Sequence, residues 1–558
     1  MKSRRVVLNE IIIKKGVKLG QLDAESDASL LDACFVDNGQ LSDLLDVERT
    51  ESILVGRTGA GKSAFIYHIS QSVEYSVLLD PHSISVQFVE HSDIIQFFNK
   101  LGIKLDLFYR MLWRHILIVE LLKLRYDLRS QDASATFFRR LYESVSRDQT
   151  KQRALNYFRE WGDKFWLETS EHLREITNKL STDLKSGLGT KFSTLNISLE
   201  GAKHLSDEVK VEVKTLATQV INQIQVQKLN EVFELLSDYA FNDKQKKFYI
   251  LIDKLDEDWA STETRCRLIR ALIEETKSFR NIPQVKIITA LRVDLLNVVF
   301  NKTRDSGFQQ DKYESYIVKI NWTEHDLKSL LERRLREVYR RQYTSSTVEF
   351  NDVFPSPKHN VDALSYIFQR TLMRPRDVIQ FANECFVAAL DTPRISWRSI
   401  YVAESSYSVK RLDSLKEEWH EIFPNLEVSV EILRGITSPF TRNVLSSDKL
   451  EAVASELAVS SEELSIDPCT VVARKMYEVG QSVDVSDFMY ESLLCFYQVG
   501  IIGAKISTLD SFSWSYKDQP KLTRGEIKRT NQMAVHKMVS HALEVSEKEI
   551  LSISKRSK

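Results

Sequence analysis

The sequence is poor in the residues that interrupt regular structure. Of 558 residues, 17 are glycine and 10 are proline. These are about 3% and 2%, against a usual ~7% and ~5%. That scarcity excludes a low-complexity or loop-dominated chain and predicts long elements, mostly helical. Cysteine is scarce as well: Cys34, Cys266, Cys385, Cys469 and Cys495 are far apart and form no C-x-x-C. A disulfide framework and a cysteine zinc ribbon are thereby excluded, and a reducing compartment fits. Charge of one sign is missing too, with 77 Lys and Arg against 78 Asp and Glu. No global basic field draws the whole chain onto nucleic acid. Long apolar runs are also lacking. The most membrane-like stretch, 105–122, contains Asp106, Arg110, Arg114, His115 and Glu120, so it reads as a buried amphipathic helix and not as a bilayer span. The N-terminal apolar run is broken by Asn9 and Glu10, too early for a signal peptide. The expectation is a soluble, cytoplasmic protein without membrane contact.

Material for a core is plentiful. The chain is 43% hydrophobic and 10% aromatic, and at roughly 150 residues per domain its length suggests three to four domains. Residues 1–45 read as a lead-in with a helix over 28–35. Residues 46–98 read strand, glycine turn, helix, strand. Residues 99–246 are charged, proline-free and helical in pattern, broken by a Ser/Thr-rich extended stretch at 191–199. Strand and helix alternate again over 247–321, with Phe248–Ile252 and Val285–Leu291 as continuous apolar strands of the buried parallel type. A helical region over 322–420 opens with Thr323 and Asp326 placed as a capping box. Residues 421–520 read as short helices followed by a hairpin between Gly500–Ser507 and Phe512–Tyr516, a winged-helix pattern. Residues 521–558 form a basic helix or tail. The fold class expected is α/β, a parallel sheet flanked by helices, in a chain that is mainly α overall.

The strongest motif is Gly56-Arg57-Thr58-Gly59-Ala60-Gly61-Lys62-Ser63, a full match to G-x-x-x-x-G-K-[ST]. Glycines let successive N–H groups turn toward phosphates, and the following helix aims its positive end at the same anion. Lys62 would supply charge to the β- and γ-phosphates, and Ser63 a hydroxyl ligand to Mg²⁺. A strand must then end in an acidic residue facing that metal. Phe248–Ile252 runs into Asp253, followed by Lys254, Leu255, Asp256 and Glu257. Asp253 is the expected metal residue. Asp256 or Glu257 would orient the attacking water, and the sequence does not separate them. The strand Val285–Leu291 ends at Arg292, which would read a γ-phosphate or pair with Asp294 or Asp256. Arg374 and Arg376 begin a helix expected over 378–390. Two cations there oppose the helix dipole unless an anion is near, either a phosphate or a carboxylate of Asp377 or Glu384. The run Arg333, Arg334, Arg336, Arg340 and Arg341 reads as a solvated helix face.

Taken in order, these features resemble the STAND and KAP-type P-loop ATPases of bacteria, within the wider origin-recognition-like AAA+ class. The resemblance covers residues 46–98 and 247–516. It implies an ATP- and Mg²⁺-dependent molecular switch with an additional-strand core, Arg292 as its sensor-1 residue, and Arg374 or Arg376 as its sensor-2 residue. It further implies control of self-association or of a protein effector, often in phage defence or on mobile elements. Three departures stand out. Lys254 occupies the position where such proteins carry a second acid. The motif lysine and Asp253 are separated by a long helical insertion. That insertion has none of the membrane spans common in KAP proteins. DNA-acting ATPase and non-hydrolysing ATP-binding protein are the alternative functions. No N-K-x-D guanine signature follows the core, which favours adenine over guanine.

Overall fold

The computed structural model describes residues 12–82, 91–128, 135–137, 139–140, 143, 169–188, 197–198, 205–225, 232–233, 235–303, 311–343, 347–460, 467–478, 483–507, 509–517, 521–530 and 532–548. The chain divides into two compact units. One comprises residues 37–57 and 61–320, the other 1–36, 58–60 and 321–558.

The first unit is built on a five-stranded parallel sheet: β1 (Ile53–Gly56), β2 (Tyr75–Leu79), β3 (Phe248–Ile252), β4 (Val285–Arg292) and β5 (Ile317–Lys319). The order across the sheet is β2-β3-β4-β1-β5, and every pairing is parallel. The expected strands are where the apolar runs put them, because a parallel sheet covered on both faces needs no polar alternation. All residues of β1 and β3 are buried. The aligned row Ile252–Thr289–Ile53 fixes the register, so Asp253 follows one residue beyond that row, while Gly56 and Arg292 pair directly.

Helices Asp106–Tyr126 and Thr262–Phe279 supply much of this unit's core. The stretch that looked most like a membrane span is the buried amphipathic helix that its charges predicted. Its Arg110 and Arg114 both reach the fully buried Glu275, at 2.9 and 2.6 Å, and Trp113 donates its indole N–H to the Leu268 carbonyl at 2.9 Å. Among the described residues no helix is long and apolar enough to cross a membrane. The extended stretch expected over 191–199 lies outside the described residues apart from Ile197 and Ser198.

The second unit is helical, with one apolar core that runs from Ile13 to Leu543. Helix Glu324–Gln342 starts at the expected capping box: Asp326 N–H donates to Thr323 Oγ1 at 3.2 Å, and Thr323 N–H donates to Asp326 Oδ2 at 3.0 Å. The expected helix over 378–390 begins earlier, at Pro375, and ends at Ala388. Proline is well suited to that first helical position, where its missing N–H is not needed. Helix Trp397–Glu418 packs beside it, with Phe381 and Tyr407 stacked at 4.7 Å.

Two readings need correction in this unit. The basic face of helix Glu324–Gln342 is not simply solvated. Arg334 is buried and pairs with the buried Asp27 at 2.6 Å, and its Nη1 donates to the Leu19 carbonyl at 3.0 Å. Arg333 and Arg341 donate to the carbonyls of Phe35 and Ser29. The face is instead a dock for residues 12–36, whose helix Ala28–Cys34 was expected. The second correction concerns the C-terminal hairpin. Strand Ile502–Lys505 pairs antiparallel with Gln532–Val535, and its link to the aromatic segment is a single bridge, Ala504 to Ser513. The region read as a basic tail therefore supplies a strand. Met533, Val535, Met538, Val539 and Leu543 bury their apolar side chains, which outweighs the local excess of lysine and arginine.

Candidate functional site

The glycine loop leaves β1 at Gly56 and enters helix Lys62–Ser72 through Gly61. Gly59 and Gly61 have φ of 76° and 97°, the left-handed region in which a side chain is strained. Gly61 stands at the helix N-cap with no side-chain cap, so the first helical N–H groups are left to a ligand or solvent. Lys62 is buried, and its Nζ lies 3.4 Å from the Gly56 carbonyl and 3.3 Å from that of Arg57. Burial pushes its pKa down. Asp256 and then Asp253 are the main charges that resist the shift.

Asp253 leaves β3 at the same sheet edge, with its N–H 3.4 Å from the Leu79 carbonyl. Its carboxyl group is buried, which raises its pKa, while a hydrogen bond from Ser63 works the other way. Lys62, Ser63 and Asp253 lie close enough to act on one another. In the sheet, β4 lies between β1 and β3. Lys254 comes next, with φ of 61°, and extends toward Asp80, at 3.9 Å. This left-handed residue turns the chain back on itself, and Glu257 N–H closes the turn on the Lys254 carbonyl at 3.2 Å.

The turn separates the two carboxylates that sequence left equivalent. Asp256 lies 3.9 Å from Arg292 and is the principal opposite charge sensed by Lys62. Glu257 faces the other way, 3.3 Å from His82 Nε2. Its pKa is raised by partial burial, offset by Lys254 and His82. Arg292 grips Asp294 through two bonds, Nε to Oδ1 at 3.2 Å and Nη2 to Oδ2 at 2.5 Å. Both carboxylate partners considered for it are therefore present.

In the second unit Arg374 is buried, and it donates to Asp377 at 2.9 Å, to Glu418 at 3.0 and 3.2 Å, and to the Thr58 carbonyl. Burial opposes its charge, but Asp377 and Glu418 outweigh burial and raise its pKa. Arg411 shares Glu418 at 3.0 Å. Glu384, considered as a partner for Arg374 or Arg376, instead holds Lys410 at 2.6 Å and Ser406 at 2.8 Å. Arg376 directs its Nε to the Leu22 carbonyl at 3.1 Å and its backbone N–H to the Gly59 carbonyl at 3.3 Å.

Sequence reading missed Asp80 and His82, which partner the loop after β3. The signal was available, because Asp80 ends an apolar strand and parallel strands deliver their last residues to one edge. It also missed Arg265, whose buried guanidinium holds the Glu257 carbonyl at 2.9 Å and Asp258 at 3.0 Å. No local pattern marks such a contact.

Magnesium can be tested against this donor set. Among the described residues no three His, Cys, Asp or Glu side chains converge on one point. Mg²⁺ does not require such a cage. It takes one or two protein oxygens, several waters and substrate phosphates. A serine hydroxyl near a buried carboxylate, as Ser63 is near Asp253, fits that requirement.

Comparison with known proteins gives partial matches. Residues 325–416 match the FunZ-associated C-terminal helical domain, which covers helices Glu324–Gln342, Pro375–Ala388 and most of Trp397–Glu418. The chain is similar to the putative transposon gamma-delta 80.3 kDa protein of Escherichia coli K12, 22% identical over 488 residues, 84% of this chain and 62% of that protein. The chain thus spans about three fifths of that relative's length. It is also similar to allergen Alt a 2 of Alternaria alternata, 25% identical over 147 residues, 26% of this chain and 77% of that protein. No solved structure matches.

Proposed function

We propose that this chain is a P-loop ATPase that works as a molecular switch of the STAND and KAP type, binding ATP with Mg²⁺ and hydrolysing it. One observation carries the reading: buried Lys62 has Asp256 and Asp253 as its main opposite charges, and the Ser63 side chain favours the charged form of that same Asp253. Those carboxylates offset the cost of burying the cation, and Mg²⁺ would balance the charge that a triphosphate adds beside them. The sheet order supports the reading too, since β4 separates β1 from β3 as an additional-strand core requires.

In this mechanism Lys62 would neutralise charge on the β- and γ-phosphates, while Ser63 and Asp253 would hold the metal. Mg²⁺ would supply charge neutralisation at the phosphate oxygens. Asp256 orients a water for attack on the γ-phosphorus and accepts its proton, the bond to the β,γ-bridging oxygen breaks, and ADP and phosphate leave. Arg292 holds Asp294 and steadies Asp256. The nucleotide state would then govern self-association or an effector.

The test is calorimetric titration of the full chain with Mg–ATP, together with phosphate-release assays, on the wild type and Lys62→Ala. Binding and turnover that vanish in the variant support the proposal. Wild-type protein that fails to bind, or a variant that binds as well as wild type, overturns it.

A second reading, a DNA-acting ATPase, is favoured by the similarity to a transposon-encoded protein and by exposed Arg524, Lys528 and Arg529 on helix Arg524–Arg529. It requires turnover stimulated by duplex DNA and a stimulation that falls steeply with salt.

A further inference from the structure

The tip of the glycine loop, Thr58–Ala60, belongs with the second unit, and the contacts that place it there form a pattern. The Thr58 carbonyl accepts from Arg374 Nη1. The Gly59 carbonyl accepts from the Arg376 backbone N–H at 3.3 Å. The Ala60 carbonyl accepts from the Trp322 indole N–H at 2.8 Å. Three successive peptides are thus held by their oxygens, each by a different residue.

A trans peptide carries its C=O and N–H on opposite edges. Fixing the oxygens of Thr58, Gly59 and Ala60 on one side turns the N–H groups of Gly59, Ala60 and Gly61 to the other. Consecutive N–H groups that share a side form a nest for an anion. Among the described residues, no backbone acceptor is found for those three N–H groups. The fit is close: a Cβ on Gly59 would stand 2.7 Å from Cβ of Arg376.

We infer that Trp322, Arg374 and Arg376 are positioning residues that hold the glycine loop in its anion-binding shape by bonding the carbonyl edge of three successive peptides. This rests on the nucleotide-binding reading and adds to it. Arg374 acts through the loop backbone and is not itself a phosphate ligand: its charge is already met by Asp377 and Glu418. Loop shape, and with it nucleotide affinity, depends on the segment that begins at Trp322.

The decisive variant is Trp322→Phe, which keeps an aromatic ring and removes the donor. Mg–ATP and inorganic pyrophosphate are titrated separately into the full chain, with thermal melting as the check on folding. The expected result is a Kd for both ligands raised about tenfold, the worth of one hydrogen bond, and a KM raised in parallel while kcat at saturating ATP stays within about twofold. Arg374→Lys keeps a cation, loses the forked donor and should raise Kd in the same way. It decides the matter if Trp322→Phe melts early. Wild type that binds ATP, together with a folded variant that binds equally well, overturns this inference and leaves the nucleotide reading standing. Wild type that binds no ATP overturns both.

Discussion

Asp256 and Arg292 face each other across the end of the sheet, Oδ2 to Nε at 3.9 Å, while the adjacent Glu257 pairs with His82. Under the proposed mechanism that division would give the two neighbouring carboxylates different tasks. Asp256→Asn should lower kcat by about 10² to 10⁴, the range of a lost general base, with little change in ATP affinity. Glu257→Gln should cost less than about tenfold. Single-turnover phosphate release on both variants checks the assignment, and a larger loss in the Glu257 variant would reverse it.

The buried carboxyl of Asp253 has a pH signature. Its folded pKa is raised by burial, so within the window between its unfolded and folded values the native state holds more protons than the unfolded one. Stability from this group therefore falls as pH rises through that window. Asp253→Asn removes the penalty. Without metal or nucleotide, the melting temperature of the variant should exceed that of wild type at pH 7, and the gap should close as pH is lowered. Added Mg–ATP should raise wild-type melting and leave the variant nearly unmoved.

Gly59 is required twice over, by its φ of 76° and by the 2.7 Å approach to Arg376. Gly59→Ala should abolish measurable ATP binding. Far-ultraviolet circular dichroism should still report a native helix content, because the strain is confined to one turn.

The buried pair Arg334–Asp27, at 2.6 Å, ties the N-terminal segment to helix Glu324–Gln342. Removing one partner strands the other as a buried charge, at about 3 kcal/mol or more. Asp27→Ala should lower denaturant stability by that amount and speed proteolysis within residues 12–36. Asp27→Ala with Arg334→Met should recover part of the loss.

What sequence could show here was mostly local. The apolar strands ending in Gly56, Asp253 and Arg292, the glycine loop and the Thr323–Asp326 box are written in consecutive residues, and each forms. Contacts made over hundreds of residues left no such trace. Trp322 donating to Ala60, Arg374 to Glu418 and Arg334 to Asp27 depend on how distant segments meet. The aromatic run Phe512–Tyr516 looked like the natural partner of Ile502–Lys505. The better partner, Gln532–Val535, was hidden in a basic stretch because strand pairing uses backbone groups that any side chain can accompany. The different partners of Asp256 and Glu257 follow a turn that begins at Lys254, whose positive φ no local pattern announces.

Helix Asp106–Tyr126 packs on β2, β3 and helix Thr262–Phe279, although it begins the long segment that separates the two halves of the sheet. Anyone trimming this chain to a smaller fragment would be tempted to excise that segment whole and splice in a short linker. The cut would remove the wall against which Phe248, Ile250 and Ile252 lie, and the product should come out of the cell as insoluble material. A fragment that keeps residues 91–128, with its deletion confined to the stretch beyond Leu128, retains that wall.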